Sequence, residues 1–322
     1  MRAPEFWSGQ AAGRDEAPVL QALLRPAGAL YGWVAARRHK KPGARVSVPV
    51  VCVGNLTLGG AGKTPVSRHV RGILGESAFV LMRGYGGRAR GPLRVLQSAD
   101  YRDVGDEALL HAQDGATIVS RDRVAGASLA ISEGARAIVM DDGFQNPSLA
   151  KDLSLVVIDA EAGIGNGRVF PAGPLRERLK DGLARADAFV LMGEGDAPSW
   201  LEGRRVLRAR VEPQGAAPAG KLVAFAGIAR PQKFFDTLAA LGAEIAEAVP
   251  FSDHHPFSAG DLDWLGTLAR ERDASLITTE KDFVRIDPAR RANIATLPVR
   301  ARFADEAALA ALLEPVRARM SG

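Results

Sequence analysis

Cysteine is nearly absent. Cys52 is the only one in 322 residues, and it lies inside an apolar run. No disulfide framework can form, which fits a reducing compartment, and sites built on several thiolates are excluded. Aromatic residues make up 6% of the chain, and no basic patch is interleaved with them, so no nucleic-acid partner is expected. No uninterrupted apolar run approaches the ~20 residues that cross a bilayer. Low-complexity tracts are also missing. What is present is globular: 47% hydrophobic and 25% charged residues, with a net charge of +5. A positive surplus suits an anionic partner such as a nucleotide or an acidic membrane surface. The length favours two domains.

The stretch Val50–Pro65, VVCVGNLTLGGAGKTP, organises the chain. Its apolar, β-branched start reads as a buried strand, Val48–Val53. A glycine-rich turn and a helix start follow. Unobstructed backbone N–H groups and a positive helix end make such a turn a phosphate site. Thr57, Leu58, Gly59, Gly60, Ala61, Gly62, Lys63 and Thr64 are the candidate nucleotide-binding residues. Lys63 can reach the terminal phosphates, and the Thr64 hydroxyl can sit on Mg²⁺. The general G-x-x-x-x-G-K-[ST] pattern fails at Thr57, where it asks for glycine. The double glycine Gly59-Gly60 can supply the permissive dihedrals instead. The competing reading is a glycine-rich turn that binds nothing.

Strands and helices then alternate, which predicts a mostly parallel sheet covered on both faces, with ligands at the carboxyl ends of the strands. Polar clusters fall at those ends. Arg83 and Arg88 flank a glycine loop and could meet phosphate. Asp106 and Glu107 begin a helix, about 100° apart around its axis, so one could take a proton while the other faces a metal. Asp141 and Asp142 end an apolar strand, where P-loop enzymes hold Mg²⁺. A Gly/Pro-rich loop from Gly165 leads to Arg176 and Glu177, candidates for substrate contact or else a surface ion pair.

At the N-terminus, Trp7, Leu20, Leu23, Leu24, Leu30, Tyr31, Trp33 and Val34 offer an apolar face, broken at Arg25-Pro26 and followed by Arg37-Arg38-His39-Lys40-Lys41. This pattern is not that of a signal peptide. It suits a helix lying in a headgroup layer, with cations over anionic lipid, or else a helix packed on the protein. Residues 213–220 read as a linker. The expected organisation is therefore a membrane-associating segment over 1–45, a P-loop NTPase-like core over 46–212, the linker, and a smaller α/β domain over 221–322. In that second domain His254 or His255 could act as acid or base, and Lys281 could contact phosphate.

Taken together, VGNLTLGGAGKTP, RGYGG, GDEALL, DDGFQ, DLSLVVIDA, GNGRVFPAGPLRE, FAGI, DHH-P-F and TTEKD, in that order from Val53 to Asp282, resemble the tetraacyldisaccharide 4′-kinases of lipid A biosynthesis. Thr57 is also what that family carries. The resemblance implies an ATP- and Mg²⁺-dependent enzyme at the cytoplasmic face of the bacterial inner membrane, with a lipid A disaccharide precursor as acceptor and no obligate protein partner. It implies phosphate and Mg²⁺ at Lys63 and Thr64, and Asp106, paired with His254, at the reaction centre. On that reading Lys63, Asp106 and His254 are catalytic; Thr64, Glu107, Asp141 and Asp142 are candidate Mg²⁺ ligands; and Arg83, Arg176 and Glu177 face the substrate. Two departures void carry-over at their own positions: Asn146-Pro147 follows DDGFQ where His and often Arg are usual, and Met82 precedes Arg83 where Ser is usual. The alternative is a P-loop NTPase acting as a switch or delivery factor; a non-enzymatic binder is a third reading.

Overall fold

The computed structural model describes residues 4–8 and 17–321. Part of the expected N-terminal segment, residues 1–3 and 9–16, therefore lies outside the described residues. The strands are β1 (Val50–Asn55), β2 (Ala78–Met82), β3 (Leu93–Arg94), β4 (Thr117–Val119), β5 (Ala137–Asp141), β6 (Leu153–Asp159), β7 (Ala188–Met192), β8 (Val206–Pro213), β9 (Lys221–Ala226), β10 (Glu244–Pro250), β11 (Ala274–Thr279), β12 (Ile294–Leu297) and β13 (Val299–Phe303). The helices are α1 (Pro18–Arg38), α2 (Lys63–Leu74), α3 (Tyr101–Val104), α4 (Asp106–Asp114), α5 (Arg123–Ser132), α6 (Leu179–Arg185), α7 (Pro231–Ala240), α8 (Ala259–Glu271), α9 (Glu280–Phe283) and α10 (Glu306–Ser321).

Two sheets form. The first has nine strands in the order β13-β8-β7-β6-β1-β5-β2-β4-β3, parallel throughout except for the edge pairs β13–β8 and β3–β4. β1 is buried along its whole length, which its unbroken apolar run requires. Alternation along it divides the core. Val51 and Val53 face Val66, Val70 and Leu74 of α2 and Leu309 and Leu313 of α10. Val50 and Cys52 face the opposite side with Ala127 and Ala130 of α5. Burial pushes the Cys52 thiol up to about 12, so it behaves as a small core residue. β1 lies between β5 and β6, where strand order reverses direction, so the turn after β1 opens at the switch point of the sheet.

The second sheet, β10-β9-β11-β12, is parallel and four-stranded. Val223 and Phe225 of β9 pack on α8, while Leu222 and Ala224 pack on α7. The division expected at 221–322 is corrected here. The second lobe ends with β12, and β13 and α10 return to the first sheet. β13 is short and fully buried only at Ala301 and Phe303, a weak strand signal that only pairing with β8 makes visible. The chain therefore passes between lobes twice, side by side: Gln214 N–H donates to the Pro298 carbonyl (2.8 Å).

Arg25-Pro26 breaks the apolar run but not α1, which continues through Pro26; the ring faces solvent, and the helix is held through its other side. Gly28 and Gly32 are its buried residues, and a side chain at Gly28 would meet the Val169 carbonyl at 2.8 Å. Val19, Leu20, Leu23, Leu30, Tyr31 and Trp33 are exposed. Among the described residues, no helix is long and apolar enough to cross a membrane.

Candidate active site

The turn after β1 is built without a left-handed residue at Thr57. Gly59 (φ 112°) and Gly62 (φ 81°) take the positive dihedrals, so the missing glycine is not needed. Asn55 staples the turn from within, its side-chain amide donating to the carbonyls of Thr57 (2.8 Å) and Gly59 (3.3 Å). Arg176 Nε holds the Thr57 carbonyl from outside at 3.0 Å. α2 starts at Lys63, and no side chain caps its first turn. Its amide groups are left facing the turn, as an anion site requires.

The strand-end acids separate. Asp142 sits over the turn at φ 54°, with Lys63 Nζ 3.5 Å and Arg176 Nη1 2.8 Å from its Oδ1. Burial alone would raise its carboxyl, but the Lys63 and Arg176 charges outweigh that and hold it below the usual carboxylate range. Alternation along β5 sends Asp141 to the α2 side, 1% exposed, where Oδ2 meets His111 Nε2 at 2.7 Å and Oδ1 has no hydrogen-bond partner. His111 lies one turn beyond Glu107 on α4, so this contact brings the start of α4 towards the end of β5.

Asp106 is where the lobes meet. It is 5% exposed, and Oδ2 accepts from His254 Nδ1 at 2.8 Å and faces Arg285 Nε at 3.1 Å, both from the second lobe. Oδ1 takes the Glu107 N–H at 2.8 Å. Burial would raise this carboxyl. The hydrogen bond from His254 and the charges of Lys281 and Arg285 prevail and lower it. The glycine loop after β2 closes the far side, with Tyr85 and His254 rings 6.3 Å apart.

Several expected residues stand elsewhere or in other company. Glu107 is tied to Lys281 (3.3 Å) rather than free for a metal, and Lys281 is thereby occupied by a carboxylate rather than open to phosphate. No three Asp, Glu, His or Cys side chains among the described residues gather as a metal cage. Glu177 is also corrected. It is 2% exposed and its oxygens are taken by Gln145 (3.0 Å) and Arg185, so it supports the loop and cannot reach a substrate. Arg176 precedes α6 and pairs with Asp142 rather than Glu177. Arg83 is exposed and has no ion pair among the described residues. Arg285, two residues past α9, was missed because a lone arginine after a short helix carries no motif.

A small cluster locks the lobes behind this site. Arg68, one turn past Thr64 on α2 and 3% exposed, reaches Glu280 of α9 (3.1 and 3.2 Å) and Asp114 of α4 (3.0 Å). Arg300 of β13 faces both acids at 3.4 and 3.5 Å.

With this geometry in hand, the chain can be set beside known proteins. The family described as "LpxK: Tetraacyldisaccharide-1-P 4'-kinase" matches residues 20–317. The tetraacyldisaccharide 4′-kinase of Hyphomonas neptunium is 50% identical over 325 residues, with 98% of each chain covered. Those of Maricaulis maris and Methylorubrum extorquens are 48% and 50% identical, covering 98% and 96% of this chain and 96% and 97% of theirs. The crystal structure of LpxK from Aquifex aeolicus in complex with ATP superposes with a TM-score of 0.75 at 26% identity, covering 92% of this chain and 99% of that one. The chain belongs to the tetraacyldisaccharide-1-P 4′-kinase family.

Proposed function

We propose that this chain transfers the γ-phosphate of ATP to the 4′-hydroxyl of a tetraacyldisaccharide 1-phosphate. The observation that carries the reading is the meeting of Asp106 from one lobe with His254 from the other at 2.8 Å. Phosphoryl transfer asks a protein mainly for positioning and charge neutralisation. The turn Thr57–Thr64 holds the phosphates through backbone N–H groups, and Lys63 adds a cation that Asp142 and Arg176 keep aimed. Asp106 accepts the proton of the sugar hydroxyl. Its Oδ2 already accepts from His254 and lies against the Arg285 guanidinium, while Oδ1 accepts only the Glu107 N–H, so Oδ1 is the less occupied oxygen. His254 holds the carboxylate and steadies it as the proton arrives. Arg83, unpaired and exposed on the loop beside Tyr85, is placed for an anionic group of the acceptor.

Mg²⁺ fits the oxygens present. It usually keeps several waters and needs only one or two carboxylates beside the phosphates, so a closed cage is unnecessary. Thr64 and Asp142 beside the turn, with the unpartnered Oδ1 of Asp141, would hold it; Glu107 joins only if Lys281 releases it. When bound, the ion supplies neutralisation of charge on the phosphate oxygens. The exposed apolar residues of α1, with Arg37, Arg38, Lys40 and Lys41 at its end, would rest on anionic lipid at the cytoplasmic face of the inner membrane and keep the acceptor's acyl chains near the bilayer.

The test is transfer of label from γ-labelled ATP to a lipid A disaccharide acceptor in mixed micelles, with and without Mg²⁺. Acceptor- and Mg²⁺-dependent transfer is expected. Asp106→Ala should bind ATP and lose turnover by on the order of 10²–10⁴-fold. Near-normal transfer in that variant would remove Asp106 from the mechanism. Full-rate hydrolysis without acceptor would favour the switch-type NTPase.

A further inference from the structure

Arg285 is 2% exposed, and each arm of its guanidinium has a different task. Nε donates to the Lys281 carbonyl (3.3 Å) and forms an ion pair with Asp106 Oδ2 at 3.1 Å, the oxygen that also meets His254. Nη1 donates to the carbonyls of Gly227 (3.1 Å) and His255 (3.2 Å). Nη2 faces Asp282 Oδ1 at 3.1 Å, and that oxygen also accepts the Gly227 N–H at 3.1 Å. The Gly227 carbonyl in turn takes the N–H of His254 at 3.0 Å. One side chain thus touches the aspartate of the first lobe, the carbonyl of the residue after the histidine, and the Gly227 carbonyl that holds the histidine N–H. His254 needs such support. Its φ of 57° is left-handed, a conformation that an L-residue keeps only where its surroundings impose it.

We propose that Arg285 is a positioning residue for phosphoryl transfer, fixing the His254 loop and Asp106 to one another so that the pair forms a single geometry when the lobes meet. The proposal rests on Asp106 and His254 as the reaction centre. A planar fork with donors in several directions is required, and an ammonium cannot reproduce it. Asp106, Glu107, Lys281, Asp282 and His254 are the charged or titratable groups around it, and none of them spans both lobes and the histidine backbone as Arg285 does.

The experiment compares Arg285→Lys and Arg285→Gln, each alone and combined with His254→Ala, in the full-length enzyme with ATP and the disaccharide acceptor. In the native background kcat per folded molecule should fall about a hundredfold, with KM for ATP unchanged. Lysine should retain more turnover than glutamine. In the His254→Ala background the same changes should cost little more, because the geometry they disturb no longer serves a histidine. A purely structural arginine would instead lower the melting temperature equally in both backgrounds and leave kcat per folded molecule intact, and that result overturns the proposal. So does a fully additive loss. If Arg285→Gln does not fold, Arg285→Lys, which keeps the buried charge, carries the measurement. His254→Ala with full turnover would instead strike the reading of the reaction centre itself, an outcome distinct from failure of Arg285 alone.

Discussion

His39 ends α1 as its C-terminal cap, against Arg185, whose guanidinium donates to its Nδ1 at 3.2 Å. Burial, with the Arg185 and Lys151 charges, lowers its pKa from 6.5 to about 4. The folded state therefore disfavours the proton that the unfolded chain accepts. This contribution is fully present above pH 6.5 and is lost as pH falls towards about 4. His39→Gln should flatten the fall of the melting temperature across that window; an unchanged slope would disprove the assignment. At this scale the sequence was informative where chemistry and punctuation coincide. Lys63, Thr64, Asp106 and Asp142 sit at strand ends or helix starts, so their neighbours in the chain announce them. Glu177 carried the same kind of signal and is nonetheless buried, because its partners Gln145 and Arg185 lie 32 and 8 residues away. Arg285 shows the converse: it meets Asp106 from 179 residues away, and no local pattern records that contact.

Among the elements, the β1–α2 turn and α1 make separable predictions. At Gly62, φ is 81° and an added Cβ would lie 3.0 Å from Met192 Cγ. Gly62→Ala should cost about 1–2 kcal/mol through the left-handed backbone alone, and should weaken ATP binding measured by calorimetry. Gly28→Val would press a branched side chain on the Val169 carbonyl and lift α1 from its seat. ATP affinity should stay as it is, while binding to anionic phospholipid vesicles and turnover of vesicle-borne acceptor both fall. Retention of vesicle binding would show that the seat of α1 on residues 169–170 is irrelevant to the membrane. Strands with unbroken apolar runs were legible, since full burial leaves no other reading. β3, β12 and β13 were not: they are two to five residues long and gain their identity from a neighbour far off in the chain.

For the molecule as a whole, the Arg68–Glu280–Asp114–Arg300 cluster ties α2, α4 and β13 to the second lobe. Arg68→Met would leave two acids short of a buried partner. Because Arg300 remains opposite both, the cost should be about 3 kcal/mol, at the lower end for breaking a buried pair. Limited proteolysis in residues 214–220 should quicken if the cluster restrains the lobes, and an unchanged cleavage rate would rule that out. Fold class and the two α/β lobes could be read from alternating segments, but the lobe boundary could not, because the linker composition near 213–220 marks only the outward crossing.

The return of β13 and α10 sets an order on synthesis. On the ribosome, the edge of β8 and the apolar residues that α10 covers are made early and covered last, after the second lobe has already emerged. Shortening the gene from its 3′ end to keep only the first lobe should therefore yield an aggregating product. Deleting codons 214–298 from the middle, with a short bridge between the neighbouring strand ends, should yield a soluble one.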